Sequence, residues 1–253
     1  MKKILYLAFA INLNVLNAES MEEKLFIEAN NYMVIQKYNE AILLYEKILD
    51  MGFQSSELFY NLGNAFYRNN DIGLSIWAYL SSLKLKPRFE DAARNLTIAQ
   101  SNTKDKVELP KNIYIFDNYK RLKSMLTFYE LVFIGGLISL TFSVISFMIK
   151  VQYFQIEQLF NFNKIIIFIY LLIIIITIDK YYTDNINKGV VITNSVEAFS
   201  GPDYGQNKVI FLVNEGVTFN ISNKKNNWFE IILIDGSKGC LLYTSDAADD
   251  SLR

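Results

Sequence analysis

Two apolar stretches in the second half of the chain, residues 126–149 and 165–178, limit what it can fold into more than any other feature. The first, LTFYELVFIGGLISLTFSVISFMI, carries one acidic residue, Glu130, near its start; the second, IIIFIYLLIIIITI, carries no charge. A hydrocarbon layer ~30 Å thick needs ~20 apolar residues in a helix, so the first stretch spans it. Leu159, Phe160 and Phe162 before the second and Tyr181 and Tyr182 after it extend that span to residues 159–180, with Lys164 reaching back to the interface. Two such runs rarely sit this close in a soluble core. The sequence therefore predicts a membrane hairpin with one polar module before it and one after.

Several reactions are excluded by composition. The 253 residues contain no histidine, which removes the commonest general base, the histidine-dependent triads and most zinc sites. Lys+Arg 25 against Asp+Glu 26 gives no basic face for a nucleic acid. The carboxylate pairs Glu22-Glu23 and Asp249-Asp250 fall at a helix start and in the suspect tail, where a solvated face or an artefact explains them. The expectation is a non-enzyme with no cofactor and no metal.

Residues 1–18, MKKILYLAFAINLNVLNA, have a charged start, an apolar run and a small residue at a cleavage point, as a secretory signal does. An uncleaved signal anchor is the alternative, and either one exports the chain beyond residue 18. The three basic residues before the first span, Lys120, Arg121 and Lys123, against Lys150 and Lys164 between the spans favour the opposite orientation. The export signal decides for an inner-membrane, two-pass protein with both modules periplasmic.

Residues 22–87 repeat at an offset of about 34: Ala29 falls on Gly63, Tyr32 on Phe66, Ala41 on Ser75 and Tyr45 on Tyr79. Small and aromatic residues at these offsets resemble the tetratricopeptide (TPR) helix–turn–helix unit. Ala29, Gly63, Ala41 and Ser75 are small where paired helices cross, and Tyr32, Phe66, Tyr45 and Tyr79 fill the space between. Pro87 matches the closing proline of that unit, while Phe53 and Ser82 depart from its pattern. Residues 88–103 supply a capping helix that closes the 22–103 array, and 104–125 read as a linker. In the TPR alignment Asn30 and Asn64 face the concave surface, flanked by Phe26 and Met33 and by Tyr60 and Tyr67. Amides can pair with an extended peptide and aromatics add contact area, so these six are the candidate partner-binding residues.

The first span carries small residues, Gly135 or Gly136, Ser139, Ser143 and Ser146, along one face. Such a stripe lets a helix approach closely: either the second span or another membrane protein. Neither span has the paired ionisable residues of a transport path.

Residues 189–239 alternate in short apolar runs separated by turn residues, with Ser200-Gly201-Pro202, Glu215-Gly216, Trp228 and Asp235-Gly236 in order. This resembles the bacterial SH3 domain, implying a small all-β barrel with Trp228 packed on it. The tail from Cys240, CLLYTSDAADDSLR, continues no strand pattern and resembles translated sequencing adapter; a genuine disordered tail is the alternative.

The fold class expected is thus multidomain: all-α repeats, a two-helix membrane hairpin and a C-terminally incomplete SH3-like barrel. That order resembles the BatE-type membrane proteins of the aerotolerance operon. The resemblance implies an interaction scaffold in envelope or oxidative stress, partnered by von Willebrand A-domain membrane proteins and a MoxR-type ATPase system. An envelope anchor whose SH3-like domain grips peptidoglycan is the alternative.

Overall fold

The computed structural model describes residues 20–105, 114–151, 157–202, 208–242 and 247–249. The signal sequence expected at 1–18, residues 106–113 of the expected linker and most of the tail after Leu242 lie outside the described residues.

Five helices form the first module: α1 (Met21–Val34), α2 (Tyr38–Asp50), α3 (Ser56–Arg68), α4 (Ile72–Leu85) and α5 (Glu90–Ser101). The offset of 34 in sequence reappears as backbone geometry. Gln36 and Asn70, one offset apart, both take left-handed conformations, with φ 61° and 69°. At each, the chain leaves its first helix through the same bonds: Lys37 N–H to Tyr32 C=O at 2.9 Å, and Asp71 N–H to Phe66 C=O at 2.9 Å. Reversed bonds of this kind satisfy the last carbonyls of a helix and turn the chain sharply. Each pair, α1 with α2 and α3 with α4, is therefore closed by the same reversal.

The expected packing residues occupy the core. Ala29, Ala41, Tyr45, Gly63, Phe66, Ser75 and Tyr79 are buried, and Tyr32 is half-buried against the same cluster. A Cβ on Gly63 would meet the Tyr79 ring at 2.7 Å, so only glycine lets α3 and α4 cross there. Pro87 lies just past the end of α4. Ser82 is fully buried and donates its hydroxyl to the Ser56 carbonyl at 2.8 Å, which satisfies a polar group in a place that calls for a small residue.

The expected linker becomes helical after the undescribed residues: α6 (Tyr114–Met125). Its intrinsic pattern is weak, and contacts to a distant helix hold it. Tyr119 donates to Asp179 at 2.5 Å, and Lys123 reaches Asp179 at 2.7 Å and Thr183 at 3.0 Å. Two long helices come next, α7 (Phe128–Lys150) and α8 (Glu157–Asp184), packed against each other. Thr127 caps α7, its hydroxyl accepting from Glu130 N–H while the Glu130 carboxylate accepts from Thr127 N–H. Both helices are long and apolar enough to cross a membrane, and most of their surface is exposed, unlike core helices of a soluble fold.

The C-terminal module is an antiparallel sheet of β1 (Lys188–Val191), β2 (Ser195–Phe199), β3 (Val209–Asn214), β4 (Thr218–Lys225), β5 (Trp228–Leu233) and β6 (Lys238–Leu242). A short β7 (Ala247–Asp249) lies beside β1, and the order is β3-β2-β6-β5-β4-β1-β7. The sheet is open, which corrects the expected closed barrel. β3 and β7 are its edges, and the Asn214 N–H on β3 is taken by Asp105 rather than by another strand. Inward residues from both halves still share one core, including Val191, Val213, Phe219, Phe229 and Ile231. Trp228 is buried and meets Phe199 edge-on at 5.5 Å. Gly216 turns the chain into β4 with φ 82°, a conformation open chiefly to glycine.

The β module also extends past Gly239. Cys240 pairs with Glu230 and Leu241 with Phe229, and both side chains are buried. Three consecutive apolar residues, Cys240-Leu241-Leu242, hide the alternation by which the strand could be read.

Candidate functional site

The helical array presents a groove of about 600 Å³ where α1 and the α1–α2 turn face α3 and α5. Of the six expected partner-binding residues, Met33, Tyr60, Asn64 and Tyr67 line it. Phe26 instead packs beside the Tyr45 ring at 5.9 Å. Asn30 lies one offset away, among the interhelical bonds of the first pair. Sequence reasoning missed Val34, Gln36, Tyr38, Arg68, Asn95 and Ile98 as lining residues, and expected Tyr79 only in the packing between helices. Asn95 and Ile98 belong to the capping helix, whose sequence displays chiefly its apolar stripe. Arg68 ends α3 one residue beyond Tyr67, the last position that the aromatic spacing marks.

The two asparagines do more than face solvent. Asn30 Oδ1 accepts from the Tyr45 hydroxyl at 2.6 Å and from Asn61 Nδ2 at 3.0 Å. Asn64 Oδ1 accepts from the Tyr79 hydroxyl at 2.8 Å and from Asn95 Nδ2 at 2.8 Å. Each asparagine thus ties three successive helices together, and the second set repeats the first 34 positions on. Burial pushes the hydroxyl pKa of Tyr45 and Tyr79 well above the ordinary tyrosine value. Both phenols stay neutral donors at any physiological pH. A carbonyl oxygen has two lone pairs, and both are used on each asparagine. A ligand in the groove can therefore meet Asn64 only through its Nδ2–H groups, beside the Arg68 guanidinium. The groove offers donors and aromatic faces, which suit an acceptor-rich segment.

The helical array that holds the groove is in contact with the sheet module. Gly73, in the first turn of α4, donates its N–H to Glu215 Oε1 of the sheet module at 2.7 Å. The carboxylate satisfies one of the four N–H groups that every helix start leaves open, and it sits at the positive end of the helix dipole. Asp105 accepts from Asn214 through both backbone N–H and side chain, at 3.1 and 2.7 Å. Val190 of β1 joins Ile76, Tyr79 and Ala99 in one apolar cluster. The same Tyr79 thus touches sheet packing on one side and the groove on the other.

Towards the spans, Arg88 pairs with Glu130 and donates to the Met125 carbonyl at 2.8 Å, tying the array to the start of α7. The small-residue stripe on α7 divides. A Cβ on Gly135 would lie 3.8 Å from Ile173 Cγ2 on α8, and Ser146 accepts from Asn163 Nδ2 at 3.1 Å. Gly136, Ser139 and Ser143 are exposed, and nothing lies within 4 Å of a Cβ on Gly136. Only part of the stripe serves the hairpin. Among the described residues no three His, Cys, Asp or Glu side chains gather where they could hold a metal ion.

No protein-family model matches the chain, and no curated protein matches it at a significant level.

Proposed function

We propose that the protein is a membrane-anchored interaction scaffold, its helical array a TPR module that grips an extended segment of a partner protein. The groove beside Asn64, Tyr67 and Arg68 carries this reading: it is concave, aromatic-sided and rich in hydrogen-bond donors. The identical reversals and asparagine bonds 34 residues apart support the TPR assignment, since they are what stacking repeats require. The donor chemistry favours a segment offering backbone carbonyls or acidic side chains. Both polar modules leave the same face of a two-span hairpin, which their mutual contacts require. The periplasmic orientation rests on the export signal expected at residues 1–18, against the basic residues Lys120, Arg121 and Lys123. A role beside von Willebrand A-domain proteins and a MoxR-type ATPase rests on the likeness to BatE-type proteins alone.

Charge reversal tests the groove. Full-length chain purified gently from its native membrane should retain a discrete partner, and Arg68→Glu should reduce that retention about tenfold or more, the scale of one charge-assisted bond. Lys47→Glu, on α2 away from the groove, should not. Identical retention by all three proteins would reject the groove as the partner site.

A further inference from the structure

The helix α6 lies at a depth that the neighbouring aromatic residues define. Phe128 and Tyr129 open one span, and Tyr181 and Tyr182 lie near the close of the other. Phe128 meets Tyr181 at 5.8 Å between ring centroids. Tyr129 is 82% exposed and Tyr182 68% exposed, although both belong to the hairpin. Exposed tyrosines at the ends of apolar spans mark the membrane–water interface, where their rings are apolar and their hydroxyls wet. Tyr119 and Lys123 bond to Asp179 and Thr183, which flank Tyr181 and Tyr182 in the sequence of α8. Met125, the last residue of α6, is two residues before Thr127, the cap of the first span. Two independent tethers, one covalent and one hydrogen-bonded, hold α6 beside the ends of the two spans.

The outer face of α6 is built for that level. Tyr119 and Lys123 turn inward and are half-buried, whereas Lys120, Arg121, Leu122 and Met125 are exposed. Leu122 is 52% and Met125 41% exposed, large apolar side chains left open beside the tyrosine-flanked ends of the spans. The helix carries three basic residues against the single acid Asp117, and Lys123 is engaged by Asp179. Lys120 and Arg121 therefore remain as the outward charges. Burial, then the adjoining Asp179 carboxylate, pushes the Tyr119 hydroxyl up to about 12, so the tether stays a donor.

We propose that α6 is an interfacial helix that binds anionic phospholipid: Lys120 and Arg121 meet the headgroup phosphate, and Leu122 and Met125 lie against the upper acyl chains. Helices with basic and apolar residues side by side lie in the interface plane in this way. Each basic residue near an anionic surface strengthens attachment measurably. The bound lipid would lock the angle of the helical array to the membrane, because α6 contacts α8 and its terminal carbonyl accepts from Arg88.

Native mass spectrometry of the full-length protein in detergent, titrated separately with phosphatidylglycerol and phosphatidylcholine, tests this. The wild type should retain phosphatidylglycerol in preference. Lys120→Gln with Arg121→Gln should reduce that preference by roughly tenfold or more, the scale of two basic side chains at an anionic surface. Lys37→Gln with Lys47→Gln, an equal loss of charge on the helical array, should leave it unchanged. Equal retention of the two lipids by the wild type would overturn the proposal. So would a preference that survives in the α6 double variant, or one lost equally in both double variants. Circular dichroism and gel filtration on each variant keep a folding defect from passing as lost lipid.

Discussion

The two helix pairs of the array make the same bonds and live in different surroundings. In the first, Tyr45 donates to Asn30; in the second, Tyr79 donates to Asn64, and both phenols are buried. Yet α1 buries only Leu25 and Ala29 and leaves Ile27 and Val34 exposed, whereas α4 is covered by α5 on one side and β1 on another. The difference teaches that the repeat specifies how helices join within a pair, and that neighbours outside the repeat specify how firmly each pair is held. The groove lies at the second asparagine, where Met33 and Val34 of α1 face Asn95 and Ile98 of α5.

The largest effect should come from the packing position where one pair carries alanine and the other glycine, Ala29 and Gly63. Gly63→Leu should destabilise the array by roughly 3 kcal/mol, because the new side chain starts 2.7 Å from a ring that has no room to move. Ala29→Gly in the first pair should cost only about 1 kcal/mol, mainly helix propensity. Thermal melts of the full-length protein followed by circular dichroism would compare them, and equal losses would erase the asymmetry.

Next comes the contact that only the second pair has. A Cβ on Gly73 would lie 2.5 Å from the Val191 carbonyl oxygen and 2.9 Å from Ile192 Cα, both backbone. Gly73→Ala should therefore pry the sheet from α4 at a cost of about 2 kcal/mol and expose the 188–192 segment to protease. Unchanged cleavage there would show that the docking is not tight.

Smaller and equal effects are expected where the pairs agree. Tyr45→Phe and Tyr79→Phe each remove one buried hydroxyl bond, worth about 1 kcal/mol. A twofold difference between their melts would mean that surroundings reach into the bond itself. The smallest effect is a slope. Both phenols have folded-state values raised above 10.0, so their contribution is complete below that pH and is lost as pH rises through it toward the folded values, because the unfolded chain ionises first. Melting temperature should fall above about pH 10, and less steeply in either Phe variant.

Features carried by local spacing could be read in the sequence: the two spans, the 34-residue offset, the packing of Gly63 against Tyr79, and Trp228 as a core residue of the sheet. What escaped depends on partners remote in the chain. Nothing around residues 114–125 predicts that Asp179 would hold α6 in place. Nothing around Asn214 shows that Asp105 would occupy the edge of β3, where a closed barrel would need another strand. The groove was half legible for the same reason: Tyr60, Asn64 and Tyr67 lie on the repeat, whereas Asn95 and Ile98 come from outside it.

The bond from Gly73 to Glu215 joins residues 142 positions apart, with both spans between them. Translation at about 5–20 residues per second puts the carboxylate on the order of ten seconds behind the amide it caps. Through that interval the array has folded around a helix whose first turn is open and whose Ile76 and Tyr79 have no Val190 against them. The contact that caps α4 is therefore completed only after both long apolar helices between its two ends have been made. The time for which α4 lacks that cap is at least the time taken to synthesise the intervening chain.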